Sequence, residues 1–231
     1  MQRRSYHCTM QDRIPPLEMT LDELREALVP LIAANAVFDG WSTRAQADAA
    51  ATLGVPADRA RLAFPGGAVD MIDAWFASID GAMLERLPAA ALAAMKISDR
   101  IRALVVARLA FAQPQREAVR RALATLAMPQ NLVRAAKLGW RTADRLWRAA
   151  GDASTDLNHY SKRATLAAVY GATLLVWLDD ESEDFADTRA FLDRRVAGIL
   201  RFEKAKARLT PSAERRFSPA RLLGRLRYPE A

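Results

Sequence analysis

The side chains best suited to chemistry are few and gathered in two places. Asp179, Asp180, Glu181, Glu183 and Asp184 form an acidic run, and clustered carboxylates are what hard cations prefer. Upstream, Asp152, Asp156, His159 and Tyr160 crowd into a short stretch where they could make a polar site on one helix turn. Neither cluster completes a recognisable machine. His7 and His159 are the only histidines and Cys8 the only cysteine, so a zinc or di-iron centre built on His and Cys ligands is close to excluded. An intrachain disulfide is impossible, which fits a reducing compartment. The acidic run lacks the Asp-x-Asp-x-Asp-Gly loop of a calcium hand. It precedes Phe185, Phe191, Leu192, Val196 and Ile199 at helical spacing, where carboxylates complement the dipole at a helix start. No glycine-rich phosphate loop follows a strand, and no motif assembles a nucleophile, a base and an orienting group. The expectation is a protein that is not an enzyme and uses no cofactor and no metal.

The elements that would position these residues are helices. Alanine and arginine dominate the 231 residues, and no period-two alternation appears, so the predicted class is all-α. Thr20 with Glu23 reads as a capping box opening a helix that ends near Asp39-Gly40. Thr43 opens a short helix to Leu53, and Gly54 stops it. Pro56 begins a third helix to about Ala63. Phe64-Pro65-Gly66-Gly67 precedes a fourth, Ala68 to Leu87, whose Val69, Ile72, Trp75, Phe76, Ile79 and Met83 form a core stripe. This is a helix-turn-helix outline. Beyond Pro88, helices are expected from Ile97 or Ser98 to Phe111, from Pro114, and from Gln130 to Ala150. In the last of these Leu132, Ala136, Gly139, Ala143, Leu146 and Ala150 share one side, and Arg134, Lys137, Arg141, Arg145 and Arg148 the other. Such a basic stripe reads as a solvated face, or as contact with anionic headgroups or an acidic partner.

Between the two polar clusters, Ala164 to Leu178 contains no charged residue. A helix apolar all round is buried or lines something apolar, and fifteen residues are too few to span a bilayer. Ala167, Ala168, Gly171 and Ala172 allow close approach to the backbone, by another helix or by an alkyl chain.

The net charge of +7 is unevenly spread: residues 20–87 carry −5, 88–150 carry +9, and 201–231 carry +6. A duplex reader needs cations against phosphates, yet the would-be reading helix offers only Arg59 and Arg61 against Asp58, with no Asn or Gln for adenine. No nucleic-acid binding is expected. Residues 1–19 read as a disordered leader, 20–87 as a helix-turn-helix-like unit, 88–208 as a helical body and 209–231 as a basic tail. In that tail Leu222, Leu223 and Leu226 share a face flanked by Arg221, Arg225 and Arg227, a pattern suited to a membrane surface.

Two resemblances rest on these residues. The helix-turn-helix outline with Phe64-Pro65 ahead of the fourth helix resembles the TetR family of regulators. Gly151 to Asp156, Asn158, Tyr160, Lys162 to Ala164, Leu166 to Ala168, Tyr170, Asp184-Phe185, Asp187-Thr188 and Phe191-Leu192 resemble the coenzyme Q biosynthesis protein nine family over about fifty residues. The resemblance implies a TetR-like all-α fold and a lipid-binding accessory role in ubiquinone synthesis. The implied partners are an isoprenoid lipid or quinone intermediate, a membrane surface and the di-iron demethoxyubiquinone hydroxylase, with a homodimer by analogy to TetR-fold proteins. The lipid wall would fall on Leu166, Val169, Tyr170, Gly171, Leu174 and Trp177. Partner contact would fall on Asp156, His159 and Tyr160, with His159 standing where many relatives carry tryptophan. Membrane contact would fall on Leu222, Leu223, Leu226, Arg221 and Arg225. The implied location is the cytoplasmic face of a bacterial membrane, or the matrix side in a mitochondrion.

Overall fold

The structure, a computed structural model, describes residues 15–152 and 157–209, with the side chains at 157, 158, 200 and 202–209 left undescribed. The expected partner residue Asp156 and the membrane-facing residues of the tail lie outside the described residues. Among the described residues ten α-helices follow one another: α1 (Leu21–Asp39), α2 (Thr43–Leu53), α3 (Ala57–Ala63), α4 (Ala68–Arg86), α5 (Ala89–Ala93), α6 (Ile97–Ala112), α7 (Arg116–Leu126), α8 (Leu132–Ala149), α9 (Leu157–Asp179) and α10 (Ala186–Leu209). Single 3-10 turns precede α7, α8 and α10. The described residues contain no strand, as the composition predicts.

Local chemistry accounts for most of the boundaries. Thr20 and Glu23 form the reciprocal capping box, which satisfies two of the orphan donors at the start of α1. Ser42, one residue earlier than expected, accepts from the amide of Ala45 and caps α2. Gly54 closes α2 at φ 78, a left-handed conformation in which a Cβ is costly. The five-residue α5 was not foreseen, because an alanine run after Pro88 has no periodicity to read.

The units at 20–87 and 88–208 share one buried cluster that runs from Leu24 to Val196. Trp41 illustrates the join. Its ring lies 5.2 Å from that of Trp75 on α4, and its indole N–H donates to the carbonyl of Ala118 on α7 at 2.9 Å.

Two faces differ from expectation. The basic stripe of α8 is only in part a solvated face: Arg134, Lys137 and Arg148 are exposed, yet three of its members reach α4. Arg134 pairs with Asp70 and Arg141 with Asp73, while Arg145 reaches Asp80 at 2.8 Å. The acidic excess of the front and the basic excess of the body therefore meet along the seam between α4 and α8, as a ladder that is half-exposed at Arg134 and Arg141 and buried at Asp80. Each helix taken alone gives no sign of this, because periodicity shows which residues share a face and not what faces them. The apolar side of α8 is also rotated: Leu138, Thr142, Ala143 and Leu146 are buried, whereas Leu132 and Ala136 are exposed.

Candidate functional site

The conspicuous features of the molecule follow α9 from end to end. At its first turns, Arg163 is almost wholly buried and fully engaged. Its Nε donates to Asp144 at 2.6 Å, and Nη1 donates to Asp152 and to the carbonyl of His159, both at 3.2 Å. Lys162 binds the other oxygen of Asp152 at 2.7 Å and lies over the Trp147 ring, whose own N–H donates to the Lys162 carbonyl. Burial alone would raise the Asp144 carboxyl, but hydrogen bonds and charge from Arg163 and Arg148 outweigh it and hold that group below the ordinary carboxylate range. Arg100 ties the corner to the rest of the body. It donates to the Ala150 carbonyl at 2.8 Å and to the carbonyls of Ala93 and Met95, so one guanidinium serves the ends of α5 and α8.

Outside this clasp sits an aromatic surface. Tyr160 is 61% exposed, 5.2 Å from the His159 ring and 6.0 Å from the ring of Trp140 on α8. The structure thus brings the expected residues His159 and Tyr160 together and adds Trp140, which the sequence reading did not single out.

The middle of α9 divides in two. Leu166, Leu174 and Trp177 point into the common core, and Val169 and Tyr170 pack on it from the side. Tyr170 covers a buried polar knot: the Arg108 guanidinium lies 5.2 Å from its ring centre and 5.3 Å from that of Phe76, and pairs with Asp80 at 3.1 Å. Arg108 also donates to the Thr142 hydroxyl. Burial pushes the Tyr170 phenol above its ordinary value. Asp80 and Arg108 are not marked out by any motif, although each carries a signal as a lone charge within an apolar stretch of its helix. The other face is open. Ala164, Ala168 and Leu175 are exposed, Leu175 by 60%, and a side chain added at Gly171 would meet nothing within 4 Å. The charge-free stretch from Ala164 to Leu178 is therefore not buried all round.

The far end of α9 is held differently. Asp180 is buried, and its carboxylate accepts from the amides of Ser182 and Thr188, both at 2.8 Å, and from both hydroxyls. Burial opposes the charge, but these four donors win and hold the carboxyl well below the ordinary range. The acidic run thus works through one member, which caps α10 from the preceding turn. Among the described residues no three His, Cys, Asp or Glu are grouped to hold a metal. Arg116 of α7 donates to the carbonyls of Trp177 and Asp180, and Arg120 to that of Leu178 at 2.7 Å, cations placed where the helix dipole is negative. Arg116 also lies over the rings of Trp177 and Phe185. Beside them, Trp177 borders a cleft of about 130 Å³ between the ends of α6 and α9 and the start of α10.

With this geometry in place, comparison with known proteins identifies the segment that carries it. The COQ9 family model matches residues 132–203, which is α8, α9 and most of α10. Curated relatives include the mitochondrial ubiquinone biosynthesis protein COQ9 of Rattus norvegicus, 43% identical over 44% of this chain and 32% of the relative. The human protein of that name is likewise 43% identical over 44% of this chain and 32% of its own length. The Xenopus tropicalis protein is 33% identical over 70% of this chain and 53% of its own. The chain thus spans from about a third to about half the length of these relatives. A solved structure described as a TetR transcriptional regulator from Nitrosomonas europaea ATCC 19718 superposes with a TM-score of 0.61 at 29% identity, covering 75% of this chain and 96% of that one. The fold is TetR-like and all-α, and the segment that builds both ends of α9 matches the COQ9 family.

Proposed function

We propose that the protein is a non-catalytic accessory protein of ubiquinone biosynthesis that holds isoprenoid quinone intermediates and presents them, at a membrane surface, to a demethoxyubiquinone hydroxylase. The observation that carries this reading is the coincidence of the family match, 132–203, with the stretch holding the aromatic surface, the open face of α9 and the Trp177 cleft. In this reading the hydroxylase docks on Tyr160, His159 and Trp140, and Asp156, which lies outside the described residues, is proposed to take part in the contact. The tail from Leu209 onward supplies the membrane contact, through Leu222, Leu223 and Leu226 with Arg221 and Arg225. Among the described residues no helix is long and apolar enough to cross a membrane, so attachment would be peripheral, on the inner face of a bacterial membrane or the matrix side of a mitochondrial one. The exposed line Ala164, Ala168 and Leu175 on α9 is suited to pairing with a second copy, since small residues let helices approach closely.

The alternative is a DNA-binding regulatory role, since the Nitrosomonas europaea protein is described as a transcriptional regulator. The geometry of α3 weighs against it. Arg59 donates to the carbonyls of Leu17 and Met19, Arg61 is taken by Asp58, and Leu62 stands 66% exposed where a reading helix needs polar groups. The two are separated by quinone profiling of cells lacking the gene. The accessory role predicts accumulation of the demethoxy intermediate with transcript levels of the other ubiquinone genes unchanged, and a normal quinone profile would refute it.

A further inference from the structure

The first half of α8 turns an apolar side to solvent. Leu132 and Val133 are 54% and 69% exposed, and Ala136, Trp140 and the preceding Met128 are exposed as well. At helical spacing Leu132, Ala136 and Trp140 line one edge of a single stripe, and Val133 and Lys137 the other. Apolar side chains exposed singly are ordinary, but a contiguous patch marks a contact surface.

Three observations say what it contacts. The first is charge. Between Glu117 and Asp144 the chain has no carboxylate. Arg134 and Arg141 are taken by Asp70 and Asp73, whereas Lys137, within the stripe, pairs with no acid among the described residues. A second copy meeting this face across a two-fold axis would set cation against cation with no acid from the stretch to offset it.

The second is order along the helix. Met128, Leu132 and Val133 lead, at the corner between α7 and α8. Lys137 follows, about 7.5 Å along the axis from Leu132. Trp140 comes next, with its ring 6.0 Å from that of Tyr160. Apolar groups, then a cation, then rings with one polar atom match the passage from acyl chains through headgroups to water.

The third is the backbone of the corner. The amides of Ala127, Met128 and Asn131 donate to the carbonyls of Leu123, Thr125 and Met128, and the Asn131 side chain donates to the Thr125 carbonyl at 2.8 Å. Pro129 has no amide to satisfy. Open backbone donors would make it costly to leave water, and here most are already engaged.

We propose that this corner and the stripe behind it form a membrane-docking face, with Met128, Leu132 and Val133 at the acyl boundary of an anionic bilayer and Lys137 at the lipid phosphates. The face belongs to the folded body and is separate from the tail at 209–231. It does not rest on the quinone-carrying role proposed above. It holds Tyr160 near headgroup level, where a membrane-bound partner can reach it.

The test uses the full chain with its natural cysteine removed, Cys8→Ser, and vesicles of phosphatidylcholine mixed with phosphatidylglycerol. Val133→Cys carrying a polarity-sensitive fluorophore should shift to the blue when these vesicles are added, and the same label at Leu62→Cys, exposed on α3, should not. In co-sedimentation of unlabelled protein, the double variant Leu132→Ser and Val133→Ser should bind the vesicles at least tenfold more weakly, the scale of withholding two aliphatic side chains from an apolar phase. Its thermal midpoint should be unchanged, since both residues are exposed. Lys137→Glu should weaken binding about tenfold on the mixed vesicles and leave binding to phosphatidylcholine alone unchanged. An unshifted label at residue 133 while the protein binds vesicles would place the contact elsewhere and overturn the proposal. A shift with polyglutamate and none with vesicles would make this a surface for an acidic protein, and overturns it equally. Isoprenoid retention is measured separately by native mass spectrometry. Isoprenoid retained with an unshifted label sinks this face alone, and a shifted label with no isoprenoid retained leaves the face standing and counts against the accessory role.

Discussion

The two ends of α9 solve the same problem with different chemistry. At the start, Arg163 and Lys162 are held by Asp144 and Asp152, charge against charge, and the aromatic residues stand outside in solvent. At the finish, a single buried carboxylate, Asp180, is held by neutral amides and hydroxyls, and the guanidinium groups of Arg116 and Arg120 meet backbone carbonyls, Arg120 also pairing with the exposed Asp179. The aromatic residues there are inside. The first arrangement stiffens a corner and frees a surface. The second packs rings around a small space and leaves one N–H of Trp177 unused.

Breaking the first clasp should cost most. Arg163→Leu keeps the apolar stem but strands Asp144 and Asp152 against weaker partners. Removing one member of a buried pair typically costs about 3–5 kcal/mol, and a loss near the lower figure is expected in urea unfolding, since Arg148 and Lys162 remain. Asp180→Ala should cost about 2–3 kcal/mol, the scale of hydrogen bonds to a charged group. It should also differ in pH dependence. The Asp180 carboxyl is depressed in the folded state, so its contribution is complete above the unfolded carboxylate value, near about 4, and is lost as pH falls further. Between about pH 5 and pH 3 the wild type should therefore lose more stability than Asp180→Ala, and parallel curves would deny the clasp its role.

Smaller effects test the surfaces. Leu175→Arg, on the open face of α9, should shift sedimentation from dimer to monomer while changing monomer stability by less than about 0.5 kcal/mol, as exposed substitutions usually do. Tyr160→Ala should be equally mild in unfolding, yet weaken hydroxylase binding at least tenfold, since exposed aromatic anchors carry a large share of interface energy. Unchanged binding would move the partner surface elsewhere.

Much of the fold was legible because it is written in local signals. The Thr20–Glu23 box, Gly54 and Pro56 each mark a boundary through groups within a few residues of the chain. The motif between Gly151 and Leu192 located the segment that matters. What could not be read is pairing across the chain. The acidic residues Asp70, Asp73 and Asp80 and the basic stripe of α8 look like two solvated faces until the helices are set side by side. The orientation of α9 was hidden for a related reason. A helix apolar all round has no polar side to declare which face is outward, so Ala164, Ala168 and Leu175 read like core until the neighbours of Leu166 and Leu174 are known. Trp177 was singled out as part of a lipid wall with five others, of which Leu166 and Leu174 turn with it into the common core.

The central claim is that this protein carries an isoprenoid quinone or its precursor. Native mass spectrometry of the full chain, purified without harsh detergent and followed by lipid extraction, tests it most directly. The account predicts a protein mass shifted by a bound isoprenoid species that is recovered in the extract. Protein that flies ligand-free, with no isoprenoid in the extract, would contradict it.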